Sequence, residues 1–170
     1  MKLLNKSLAF IAMTGILLSC SKSDQLQDIA SAKNNSTVKD GGCAEQPKEG
    51  DRVIWTQVVQ LSPENEVANV VTTARGIAIL RLTEGMMLHS KIIIMDLPED
   101  DNLLFAHIHD APAGVNGPVI VTLAATADDF GVNQSIQLTE AQFDKVMNNA
   151  VYVNAHSTMY PPGIVRGQIR

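Results

Sequence analysis

From Val53 to Ile169 the chain is cut into short runs of β-branched and aliphatic residues, each stopped by a turn signal. That rhythm constrains the fold more than any other feature. Val53–Leu61 ends at Ser62-Pro63-Glu64, Ala74–Leu82 alternates apolar and polar residues around Gly76, and Glu84-Gly85 makes the next turn. Met87–Met95 is closed by Pro98-Glu-Asp-Asp-Asn102, and Leu103–His109 runs into the loop Asp110-Ala-Pro-Ala-Gly-Val-Asn-Gly-Pro118. Pro118–Leu123, a short run near Ser135–Leu138, and the pair Ala150–His156 and Ile164–Ile169 complete the series. One helix is expected, over 139–149. Thr139-Glu-Ala-Gln142 has capping-box spacing, and Phe143, Val146 and Met147 form an apolar stripe. The pattern predicts an all-β fold, a Greek-key β-sandwich or barrel of seven to eight strands with this one short helix.

The first fifty residues follow different rules. Lys2 and Lys6 flank the start of the apolar run Leu8–Leu18, which meets Ser19-Cys20. A basic start, a short apolar run and a small-residue cleavage site describe a secretory signal rather than a membrane span. The ending Leu17-Leu-Ser-Cys20 resembles the lipobox of bacterial lipoproteins. The resemblance implies cleavage before Cys20, with lipid (diacylglycerol and an acyl chain such as palmitate) carried by that residue. Ser21, rather than an aspartate, follows the cysteine, which in such lipoproteins favours the outer membrane. The expected organisation is a signal peptide over 1–19, a tether over 20–50 and a domain over 51–170. The tether is rich in Ser, Lys, Asn, Asp, Gln and Gly, with at most a brief helix at 25–32. With Cys20 lipidated, Cys43 has no partner for an intramolecular disulfide and reads as incidental. Loss of residues 1–19 leaves 11 basic and 18 acidic residues, a charge near −7. No basic cluster remains, which argues against nucleic acid and against anionic membrane surfaces as partners.

The chemistry concentrates in three histidines. On a strand, Ala106 and Ile108 face one way, and His107 and His109 face the other. His156 ends another strand-like run. Tyr152, Asn154 and His156 share one face there, and Arg166 and Gln168 share a face on the next strand. Two readings fit these residues. The first is a metal site for copper or zinc on His107, His109 and His156, with an open fourth position. The second is a polar network in which the histidines join Glu66, Asn154, Arg166 and Gln168, with Glu66 and Arg166 as an ion pair, to hold loop 110–118 and the last hairpin. His89, beside Lys91, is expected on a solvated face.

Other chemistry has little support. Ser90 and Ser157 lack a nucleophile elbow, and no glycine-rich phosphate loop is present. Glu99-Asp100-Asp101 and Asp128-Asp129 read as solvated turn residues, with weak calcium binding as their only alternative. Met86, Met87 and Met95 read as packing residues rather than copper ligands.

Asn65-Glu-Val67, Ala106-His-Ile-His109, Val115-Asn-Gly-Pro-Val119, Tyr152-Val-Asn154 with His156, and Arg166-Gly-Gln-Ile169 together resemble the chordin-type (CHRD) domain, over about residues 53–170. The resemblance implies an extracytoplasmic β-sandwich that binds partners and has no established enzymatic activity. Animal chordin, which binds growth factors, carries the same domain. The chain departs from the family pattern at Asp110-Ala-Pro112, at Ala68-Asn69 and at Gly163-Ile-Val165. A His-x-His strand with a distant third histidine is also similar to part of the copper site of copper/zinc superoxide dismutases. Those enzymes need further histidines and an aspartate, and this domain adds only His89, so a dismutase is rejected. The expected function is a lipid-anchored, non-catalytic interaction module of the bacterial cell envelope, binding a protein or glycan. The alternatives are a mononuclear copper or zinc protein and a purely structural envelope component.

Overall fold

Alternation decides which side of each strand is inside, and the computed structural model, which describes residues 48–170, places those sides against one another. The signal segment 1–19, Cys20, the 25–32 helix, Cys43 and most of the 20–50 tether lie outside the described residues. Eight strands form two four-stranded antiparallel sheets. The first sheet has the order β1 (Val53–Leu61), β2 (Arg75–Thr83), β3 (Met87–Met95), β6 (Gln134–Gln137). The second has the order β5 (Val119–Ala124), β4 (Leu103–Asp110), β7 (Val151–Ser157), β8 (Val165–Gln168). The chain leaves β3 for the β4–β5 hairpin and returns to lay β6 beside β3. It then crosses again to lay β7 beside β4. These are Greek-key crossings, and the expected β-sandwich is what they build.

The core lies between the sheets. Ala78, Leu80, Leu82, Leu88 and Ile92 from the first sheet meet Ala106, Ile108, Val121, Leu123, Val153, Ala155 and Val165 from the second. Each follows the period of two read from the sequence. The helix α1 (Glu140–Asn148) starts at the expected capping box: the Gln142 amide donates to Thr139 Oγ1 at 3.3 Å, and Thr139 N–H donates to Gln142 Oε1 at 2.9 Å. Val146 is fully buried, and Phe143 and Met147 pack against the same core. At one edge the two sheets are joined. Ser62, just past β1, exchanges a pair of backbone hydrogen bonds of 3.0 Å each with Arg166 of β8.

The two acidic turns differ. Asp129 is committed to its own turn, accepting from the Ala125 and Thr126 amides at 2.9 and 3.0 Å. Asp101 is not the solvated turn residue expected from sequence. It is buried, and its Oδ1 accepts from Thr158 Oγ1 and from the Asn102 and Met159 amides, each at 2.9 Å. It ties the start of β4 to the loop after β7, and these bonds hold its pKa down although burial pushes it up. Met86 packs on the core, whereas Met95 is exposed at the end of β3.

Candidate metal centre

The outer face of an antiparallel sheet is ordinarily wet, but here it is covered. Every residue of β7 is buried, including the outward-facing Tyr152, Asn154 and His156. Antiparallel pairing sets Tyr152 opposite His109 and Asn154 opposite His107 on one side, and opposite Gln168 and Arg166 on the other. The polar residues read from the sequence therefore share a single face across β4, β7 and β8.

Two loops cover that face, and the sheet holds them mainly through their backbone carbonyls. The Arg166 guanidinium donates to the Val115 and Pro112 carbonyls at 3.0 and 2.8 Å, and Gln168 Nε2 donates to the Ala111 carbonyl at 3.1 Å. Arg166 also lies 3.4 Å from the centre of the Tyr152 ring, which stacks on His109 at 4.8 Å and 6°. Cation, phenol and imidazole thus form one stack. Arg166 and Gln168 thus bond to loop 110–118, and one expected contact differs. Glu66 and Arg166 do not form an ion pair. Glu66 Oε1 accepts from Asn154 Nδ2 at 2.6 Å, while Arg166 spends its donors on carbonyls and Gln168 and acts on Glu66 only at longer range. Burial raises the Glu66 pKa to about 7, with Arg166 opposing.

The three histidines meet within this network. One ring nitrogen of each of His107, His109 and His156 lies within 4.8 Å of the other two, the only such convergence of three or more His, Cys, Asp or Glu side chains among the described residues. His109 Nδ1 hydrogen-bonds the Gly117 carbonyl at 2.9 Å, and His156 Nδ1 hydrogen-bonds the Pro161 carbonyl at 2.8 Å. A carbonyl can only accept, so each Nδ1 carries the proton and each Nε2 presents a lone pair. Those Nε2 atoms, and His107 Nδ1, are buried without a hydrogen-bond partner. Phe105 closes over the cluster, with its ring 5.0 Å from His107 and 4.6 Å from His156. Burial lowers the His107 pKa to about 4, helped by the charges His156 and His109 would carry. Burial lowers the other two as well, against the opposing effect of their carbonyl bonds. All three rings are therefore neutral at pH 7, the form that binds metal.

His89 is exposed and apart from this cluster, bonded to Ser135 at 2.9 Å. Sequence reasoning passed over Phe105, although its alternation with His107 and His109 puts it on their face. Gly117 and Pro161 act through backbone carbonyls, for which side-chain pattern carries no signal.

The fold and this face define a two-sheet β-sandwich domain with a buried histidine cluster beneath loops on one outer surface. Residues 58–169 match the family model of the CHRD domain, and the chain belongs to that family. No curated protein and no solved structure matches it.

Proposed function

We propose that this domain binds one transition-metal ion, copper or zinc, through His107, His109 and His156, and that a lipid on Cys20 holds it at the bacterial cell envelope, at the outer membrane. One observation carries the metal reading. The three imidazoles converge, each has a buried ring nitrogen without a partner, and in two of the rings the opposite nitrogen is fixed by a carbonyl. A hydrogen-bonded network alone would leave no such cluster of acceptors, because buried polar atoms ordinarily find donors. Metal-bound histidines characteristically donate their other N–H to a carbonyl or carboxylate. A ligand set of three neutral nitrogens suits copper or zinc and leaves a fourth position open.

A second reading, a non-catalytic module for a protein or glycan, draws support from membership of the CHRD family, and the two are compatible. The deciding experiment is elemental analysis of the purified full chain, paired with melting curves with and without chelator. The expected result is about one copper or zinc per chain and a melt lowered by chelator. A metal-free chain whose melt ignores added copper, zinc and chelator would refute the proposal and leave the network reading. Recovery of a specific envelope protein or glycan from membranes would then favour the interaction module over a purely structural component.

A further inference from the structure

Six buried side-chain atoms among the described residues lack a hydrogen-bond partner: Ser90 Oγ, Asp101 Oδ2, His107 Nδ1, His109 Nε2, His156 Nε2 and Asn154 Oδ1. Four of the six belong to neighbouring positions on the outer face of β4 and β7. Asn154 stands opposite His107 in the ladder and two residues before His156 on the same strand. Directly opposed residues on one face of a sheet have β-carbons about 5 Å apart, so the amide borders the histidine cluster.

The amide is also held in one orientation. Its Nδ2 donates to Glu66 Oε1 at 2.6 Å, which leaves Oδ1 as the free end. Gly163, at φ +152°, closes over the pair. A β-carbon there would collide with Asn154 Nδ2 and come within 2.6 and 2.8 Å of the two Glu66 carboxyl oxygens. Glycine at this position leaves the room in which Glu66 grips the amide. The result is an acceptor oxygen without a donor, on a residue 3% exposed that neighbours the histidines in the ladder.

Resting on the three-histidine reading, we propose that Asn154 Oδ1 accepts a hydrogen bond from a water molecule on the ion's open fourth position, with Glu66 as the residue that orients the amide. The site is then one that exchanges a small ligand rather than a closed structural one. It favours ligands carrying a hydrogen on the donor atom, such as water, over anions that carry none, such as azide.

The test uses the full chain loaded with Cu(II). Electron–nuclear double resonance in H2O and D2O should reveal exchangeable protons coupled to the copper more strongly than the remote Nδ1–H protons of His109 and His156, as a directly bound water requires. Water-proton relaxivity should fall by at least half in Asn154→Leu, with one copper per chain retained. Azide should bind Asn154→Leu several-fold more tightly than the wild type. Copper bound with equal relaxivity and azide affinity in wild type and Asn154→Leu would overturn this inference and leave the metal site intact. A wild-type chain that takes up no copper would overturn both. If Asn154→Leu fails to fold, the wild-type spectrum still tests the inference, since copper whose only coupled exchangeable protons are the remote imidazole N–H protons excludes the bound water.

Discussion

In the metal-free protein, His107→Leu should flatten the acid limb of the stability curve. The His107 pKa falls from its ordinary 6.5 to about 4 on folding, because burial and the neighbouring rings disfavour the imidazolium. Above pH 6.5 the ring is neutral in both folded and unfolded chains and the shift has no effect. As pH falls from 6.5 to 4 the unfolded chain gains a proton that the folded chain does not, so stability drops, and the loss is complete below 4. In full, the shift corresponds to about 3 kcal/mol. The ring is only half-buried, so solvent screening reduces this to about 1–2 kcal/mol. For a domain of this size that is a Tm difference of roughly 4–8 °C. The measurement is Tm by near-ultraviolet circular dichroism in chelator, from pH 7.5 to 4.5 at fixed ionic strength. The wild type should lose that much more than His107→Leu across the range, while His109 and His156 leave a shallower slope in both. Parallel curves would refute the argument, since they would mean that His107 titrates alike in folded and unfolded chains.

Two further outcomes follow from neighbouring groups. A β-carbon at Gly117 would collide with the Asp110 carbonyl and the Ala111 side chain, so Gly117→Ala must move the carbonyl that holds His109 Nδ1. Copper affinity, measured by competition with a chelator of known strength, should weaken about 10–100-fold, and an unchanged affinity would contradict the role given to that carbonyl. Glu66 has the opposite pH signature to His107. Its raised pKa, about 7 against an ordinary 4.5, costs stability as pH climbs through that window, so Glu66→Gln should gain on the wild type between pH 4.5 and pH 8 in urea melts. A difference constant with pH would show that the carboxyl is not buried as described.

Much of this architecture was legible in the residues. Period-two alternation put Ala106 and Ile108 in the core and aligned Tyr152, Asn154 and His156, because a buried face tolerates no slip of register. Thr139 and Gln142 marked the helix start for a reason local to four residues. What stayed hidden depended on the backbone or on distant partners. The expected Glu66–Arg166 pair gave way to Glu66–Asn154 because the loop carbonyls of Pro112 and Val115 claimed the guanidinium. Asp101 looked like a solvated turn residue because the amides and hydroxyl it satisfies at 158 and 159 are far along the chain. The proton positions on His109 and His156 follow from two carbonyls that no side-chain pattern encodes.

The loop over the histidine face is gripped largely by its main chain: Ala111, Pro112, Val115 and Gly117 all offer carbonyls to β4 and β8. A carbonyl is the same whatever side chain it accompanies. Substitution at Ala111 or Val115 can therefore drift while the cover stays latched, whereas Arg166 and the space at Gly117 cannot. The side chains of that loop can be rewritten while the histidines beneath it stay in place.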